Sequence, residues 1–471
     1  MLDYQTITDL GKQPESLIEN SGKEPTIALL HCYDLIDDFL NSIHLSFETF
    51  CQEFVGSWMF GYINALKKAG VRTVLFCISE RVIEPERYRH IPTGATICVL
   101  PANQTYRTFR AIRNRALRTY NAEEGQTFKD MLDNDTRYSL LTKLKDIVKS
   151  AGSYLSTPLG LLAHELKQEN CQVILCQEYE FARFDACVLL GKWIGIPVFA
   201  TFQGGNETQS FLEYPLRHLA FGFCTGAIIA TQTEIERVRK DYKLPDAKIA
   251  RIFNPIDITV WQRCDRTLAR ESIGIPSDAC VVVWHGRVEI ERKGLDILLD
   301  AWEQVCCDRP HQELRLLLIG TGSDASKLHQ QLTSKPLPGV MWIDEFIHDR
   351  TRVQQYLSAA DVYVMSSRQE GFPVAPIEAM ACSLPIVATN ALGIPDILEH
   401  GETSGGLVVP CNHPSALANA ISRVLDNPDW AQKLGRRARL RVEQKFASEA
   451  VGQQLRDFLL PKVTPTEQQS S

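Results

Sequence analysis

The feature that most constrains this chain is an alternation. Short apolar, β-branched runs are separated almost throughout by segments of helix length. A first series predicts strands at 26–32, 71–79, 96–102, 171–177, 197–203, 226–231 and 249–254. A second predicts strands at 280–287, 314–320, 340–344, 362–367, 385–389 and 407–410. Runs such as TIALLHC and CVVVWH are apolar at consecutive positions, which predicts strands buried on both faces. Strands covered on both faces and joined by helices run parallel. The polar, turn-rich stretch 256–279 parts the two series. The expectation is therefore an α/β chain of two doubly wound, Rossmann-like domains with mostly parallel sheets, at 1–265 and 266–445. Helical patterns at 414–426, 429–442 and 446–460 follow, and the tail 461–471 has too few apolar groups to order itself.

The chain has 471 residues, more than one core organises. Its 57 acidic residues outnumber 50 basic ones, for a net charge of −7, which argues against nucleic acid as a partner. Fourteen cysteines follow no disulfide framework and read as thiols of a reducing compartment. No C-x2-C or H-E-x-x-H spacing offers a metal site, and no Gly-x-Ser-x-Gly elbow offers a serine nucleophile. The opening MLDYQTITDLGKQPESLIEN lacks a basic segment followed by an apolar one, and no apolar run approaches the ~18 residues of a membrane span. A cytoplasmic chain is expected.

Three motifs carry chemistry. In SSRQEGFPVAPIEAMACSLPIVAT, residues 366–389, Glu370 lies in a Gly/Pro turn after a strand. Glu378 is expected about two turns into a helix that starts near Pro373, a residue suited to a first turn. Amides around Gly371, Phe372 and Val374 at the helix start suit a phosphate or sugar oxygen. Two carboxylates flanking such amides fit a ligand with hydroxyls at both ends and a phosphate between, as in a nucleotide-sugar. A solvated Glu370 and a locally paired Glu378 would explain the same residues. In HGRVEIERKG, residues 285–294, a strand delivers Arg287 to the edge where open α/β sheets bind ligands, and Lys293 follows. Two cations there suit a diphosphate, although Glu289, Glu291 and Arg292 could equally make this a charged surface turn. In LLLIGTGSD, residues 316–324, Gly320 and Gly322 form either a nucleotide cradle or an ordinary strand-to-helix turn.

Taken in order, Arg287/Lys293, GTGSD, EGFPVAPIEAMACSLPIVAT and GIPDILEHGETSGGLVVP resemble the retaining GT-B glycosyltransferases of family 4, the glycosyl transferases group 1. NPID at 254–257 is similar too. The resemblance implies a GT-B fold, with an acceptor-side N-terminal domain, a nucleotide-sugar donor domain, and a last helix near 446–460 crossing back to the first. It implies a hexosyltransferase using a UDP- or GDP-sugar and a glycan, lipid-linked or small-molecule acceptor hydroxyl. By the same resemblance Glu378 would hold the ribose and Glu370 the donor sugar, with Gly371, Phe372 and Pro373 lining its site. Arg287 and Lys293 would hold the diphosphate in place of a metal or other cofactor, and 343–350, with Phe346 and Ile347, would flank the base.

The chain departs from that pattern on the acceptor side. NSIHLSFETF at 41–50 lacks the family's Gly pair, while Gln177, Glu178 and Gln203 stand where relatives carry histidine. Glutamine cannot serve as a general base. Ser383 replaces a glycine, and Leu392-Gly393 replaces a glycine pair. A non-catalytic nucleotide-sugar binder and a GT-B nucleotide-sugar epimerase are therefore weighed as alternatives. Asp133-Asn134-Asp135 is read as a helix cap rather than a metal triplet. The basic amphipathic segment 106–120 could meet an anionic membrane surface or pack on the N-terminal sheet with its arginines solvated.

Overall fold

In a computed structural model, which describes residues 24–460 except 33, 42, 44, 56–57, 112–151, 205–208 and 211, the alternation resolves into two sheets. Each expected apolar run contains a strand. The first sheet holds β1 (Thr26–His31), β2 (Arg72–Ser79), β3 (Glu86–Arg89), β4 (Thr96–Pro101), β5 (Cys171–Gln177), β6 (Val198–Thr201), β7 (Gly226–Ile228) and β8 (Ile249–Ala250), in the order β3-β4-β2-β1-β5-β6-β7-β8. The second holds β9 (Cys280–His285), β10 (Leu314–Ile319), β11 (Val340–Ile343), β12 (Val362–Met365), β13 (Ile386–Thr389) and β14 (Gly406–Val409), in the order β11-β10-β9-β12-β13-β14. Among the described residues, every strand pair is parallel except β3 with β4. The sequence reading missed β3, because ERYR has no apolar run. Its charges mark an edge strand instead.

Both sheets are covered on both faces, as their consecutive apolar residues require. Leu30, Phe76 and Ile174 pack against the helices Leu159–Gln168 and Ala182–Ile194. Ile27, Leu29 and Leu75 face the other way, toward the helix Trp58–Lys68. Val451, Leu455 and Leu459 of the helix Ser448–Leu459 join that same cluster, so the chain's last described helix lies on the first sheet. In the second sheet Val281, Val283 and Tyr363 pack on Ile377 and Met380, while Val282, Trp284 and Val364 pack on Leu298, Trp302 and Ile421. The backbone crosses between sheets twice, side by side: Ile256 N–H donates to Phe446 O at 2.8 Å and Ser448 N–H to Ile256 O at 3.0 Å.

These strand orders position the site. In each sheet successive connections run outward in both directions from one central pair, β1/β5 in the first and β9/β12 in the second. Above the carboxyl ends of such a pair the connecting loops diverge and leave a crevice. Residues 285–287 and 366–374 follow β9 and β12, and residues 34–43 and 178–181 follow β1 and β5.

Of the remaining sequence readings, 133–135 and 461–471 lie outside the described residues, as do 112–120 of the basic segment. Within its described part, Arg107 donates to Ala102 O and Val82 O, and buried Arg110 binds Asp34 at 2.6 Å and Asp38 at 2.8 Å. These two arginines face the protein, so solvation does not describe them. All 14 cysteines are free, and no helix among the described residues is long and apolar enough to cross a membrane.

Candidate active site

A cleft of about 1000 Å³ lies between the two sheets. Its second-sheet wall includes Arg287, Gly320, Gly322, Phe346, Ile347, Glu370, Gly371, Phe372, Pro373, Val374 and Glu378. Its first-sheet wall is formed by Asp38, Phe39, Ile43, Gly61, Asn64 and Gln203.

Glu370 ends the turn after β12, and its Oε1 accepts from Lys293 Nζ at 2.7 Å and from Ser367 Oγ at 2.6 Å. Lys293 is thus held by a carboxylate. Arg287 lines the cleft with an exposed side chain and reaches Glu289 at 3.2 Å. Its neighbour on the same strand end supplies what the sequence reading missed. His285 Nε2 lies 2.8 Å from Glu378 Oε2, while His285 Nδ1 is buried without a partner. The signal was available: residue 285 ends β9 and, at period two, shares a side of the strand with 287.

The helix after Glu370 begins later than expected. It spans Ala375–Ala381, with Pro376 rather than Pro373 in its first turn, so Glu378 also sits in the first turn. Tertiary contacts hold the preceding residues out of the helix. Asn254 Nδ2 donates to Phe372 O at 3.3 Å, and the Phe372 ring stacks on Phe253 with centroids 5.3 Å apart. Gly371 touches the first-sheet loop directly: a Cβ there would lie 2.4 Å from Gly204 Cα and 2.6 Å from Gln203 O. Close backbone approach does require glycine, but the neighbour is protein backbone.

Gly320 and Gly322 also admit backbone. A Cβ at Gly320 would lie 2.0 Å from Gly286 O, and one at Gly322 would lie 2.4 Å from Val288 O. Val288 N–H donates to Thr321 O at 3.0 Å. The GxG turn thereby locks the loop carrying Arg287 while lining the cleft. Phe346 stacks on Phe54 across the cleft at 6.3 Å. Arg350 bridges in the same place, donating to Val55 O, and burial holds its guanidinium below its ordinary range.

On the acceptor side only Gln203 of the three singled-out residues lines the cleft. Its side chain exchanges amide hydrogen bonds with Asn254, at 3.0 and 3.3 Å. Glu178 has a left-handed φ of 114° and turns back to accept from Gln203 N–H at 2.9 Å. Gln177 is fully buried, with neither amide atom hydrogen-bonded. Among the described residues, no group of three or more His, Cys, Asp or Glu side chains could hold a metal ion.

With this geometry in place, comparison with known proteins becomes informative. The family described as glycosyl transferases group 1 matches residues 279–427, which contain the whole second sheet. This part of the chain resembles the glycosyl transferases of group 1. D-inositol 3-phosphate glycosyltransferase 2 of Catenulispora acidiphila is 28% identical to this chain over 218 residues, 45% of this chain and 50% of that protein. N-acetyl-alpha-D-glucosaminyl L-malate synthase of Bacillus anthracis is 23% identical over 294 residues, 62% of this chain and 74% of that one. The match thus spans only half the length of the first of these relatives. Among solved structures, sucrose-phosphate synthase from Thermosynechococcus elongatus superposes with a TM-score of 0.64 at 20% identity, covering 92% of this chain and 97% of that one. Anabaena HepE in complex with UDP superposes with a TM-score of 0.65 at 15% identity, covering 92% and 99%. The architecture of this chain is the two-domain GT-B fold.

Proposed function

We propose that this chain is a retaining, metal-independent glycosyltransferase that moves a hexose from a UDP- or GDP-sugar to an acceptor hydroxyl. The observation that carries the reading is the pair of tethered carboxylates at the second sheet's switch point. Glu370 is held by Lys293 and Ser367, Glu378 is held by His285, and both line one cleft. Glu378, accepting from His285 through one oxygen, has its second oxygen for a ribose hydroxyl. Glu370 stands one loop away, where its fixed orientation suits a sugar hydroxyl and the positive charge that develops on the sugar as the leaving group departs. Arg287 and Lys293 supply positive charge to the departing diphosphate. With no first-domain histidine among the described residues that line the cleft, the acceptor proton passes to the leaving phosphate, which fits transfer on the face the donor leaves. UDP bound by the HepE structure supports the same class of donor.

The test is to incubate the chain with UDP- and GDP-sugars and an acceptor panel, and to measure released nucleotide. Glu370→Gln keeps acceptor capacity toward Lys293 and Ser367 while removing the charge, and is expected to slow transfer about 100-fold. Unchanged turnover in that variant would remove Glu370 from the reaction. Donor binding with no turnover on any acceptor would favour a non-catalytic binder, and an epimerised donor would favour an epimerase.

A further inference from the structure

Away from the cleft, the helices Ala182–Ile194 and Glu213–Phe223 pack side by side on the first sheet. Their core-facing positions are already filled, by Phe184, Cys187 and Leu190 in one and by Ala220 and Phe221 in the other. Yet the outward face of each is apolar as well. Leu189 and Trp193, four residues apart, are 67% and 73% exposed, and Leu219 and Phe223, also four apart, are 55% and 56% exposed. Residues at that spacing share one side of a helix. Lys192 Nζ lies 5.5 Å from the Phe223 ring centroid, which joins the two stripes into one patch. A contiguous exposed patch of large apolar groups marks an interaction surface.

Charge identifies the partner. The only carboxylates on these helices are Asp185, buried 2.6 Å from Arg217, and Glu213, half-buried and accepting from Ser210 N–H. Two lysines stand beside the patch, while Asp246, in the turn that carries Lys248, is engaged by Arg239 at 2.7 Å. Lys192 is exposed, and Lys248 Nζ caps the second helix through Gly222 O at 3.3 Å and Cys224 O at 2.8 Å. Among the described residues, neither lysine pairs with a carboxylate. Lysine is depleted from protein–protein interfaces, whereas tryptophan and phenylalanine flanked by lysines suit the boundary between lipid headgroups and acyl chains.

We propose that this face docks on an anionic lipid surface, with Trp193 and Phe223 entering the headgroup boundary and Lys192 and Lys248 meeting lipid phosphates. Trp193 and Phe223 stand just before β6 and β7 begin, at the edge of the sheet opposite the strand ends that form the cleft. Docking there leaves the cleft open to donor and acceptor.

The experiment is co-sedimentation of the full chain with phosphatidylcholine vesicles and with vesicles that also contain phosphatidylglycerol. The wild type is expected to bind the anionic vesicles, and less so at higher salt. Trp193→Ser with Phe223→Ser is expected to weaken binding by about tenfold or more. Lys192→Glu with Lys248→Gln keeps the aromatic groups and a donor toward the Gly222 and Cys224 carbonyls, and is expected to weaken binding too. Melting temperature and donor turnover in solution are expected to stay at wild-type values in both variants. Wild-type protein that ignores anionic vesicles, or Ser variants that bind them as well as wild type, would overturn the proposal. So would a wild-type dimer in solution that the Ser variants dissolve, because the patch would then belong to a second copy.

Discussion

The tether between Lys293 and Glu370 makes a quantitative prediction. Glu370 has 5% of its side chain exposed and Lys293 16%, and their charged atoms lie 2.7 Å apart. Replacing Lys293 with Met leaves a buried carboxylate with only the neutral Ser367 donor at 2.6 Å. Breaking a buried pair in this way costs about 3 kcal/mol. Glu370→Gln costs less, about 1–2 kcal/mol, because an amide oxygen still accepts from both donors and the ammonium can reach water in the cleft. The double variant Lys293→Met/Glu370→Gln buries no unpaired charge, and is expected to cost only about 1–2 kcal/mol in total. The cycle therefore carries a coupling of about 3 kcal/mol. The assay is urea denaturation followed by tryptophan fluorescence, which reports mainly the second domain because Trp284, Trp302, Trp342 and Trp430 lie there and Trp261 packs into its core. Salt should change the coupling little, since the pair is shielded from counterions. If the double variant loses as much as the two single variants summed, the pair is not coupled. The argument that Lys293 fixes Glu370 would then fail.

Other outcomes follow from single sites. His90 is buried against Phe60, with centroids 3.9 Å apart, and bonds Thr93 and the Phe54 carbonyl; burial pushes its pKa from 6.5 down to about 4. A folded-state value below the unfolded one means stability is complete above pH 6.5 and declines as pH falls toward 4, by about 3 kcal/mol in all. A His90→Leu variant, measured by denaturation across that window, should show a visibly flatter decline, and an unchanged slope would refute the assignment. Ser383 adopts a left-handed φ of 59°, a conformation glycine enters without steric cost. Ser383→Gly is expected to stabilise the second domain by up to about 1 kcal/mol in the same urea assay, and a destabilised variant would count against backbone strain there.

Much of the fold was legible because burial on both faces writes itself into the chain. A run such as CVVVW has no polar position to present to water, so it requires a covered parallel strand. The charged β3 carried no such mark. Helix ends were less legible. Both Pro373 and Pro376 suit a first turn, and the choice fell to Pro376 because Asn254 and Gly204, far away in sequence, hold residues 371 and 372 in another conformation. Residue placement around the cleft divided along the same line. Glu370 and Glu378 reach it from the ends of a strand and a short helix, and their strand-turn-helix context was visible in the sequence. Glu178 was expected at a strand end facing the ligand, but its left-handed backbone turns it back on Gln203.

By itself, then, the sequence determined the two parallel sheets, their order along the chain and the carboxylates at the second sheet's switch point. These follow from local patterns: consecutive apolar residues, helix-length spacers and turns at strand ends. Only the tertiary structure decided which groups meet. It paired His285 with Glu378 and Lys293 with Glu370, set Gly371 against Gly204, and left Trp193 and Phe223 facing outward. A partner 77 or 93 residues away leaves no local trace. Its position depends on how whole sheets and loops pack, and no short stretch of chain encodes that.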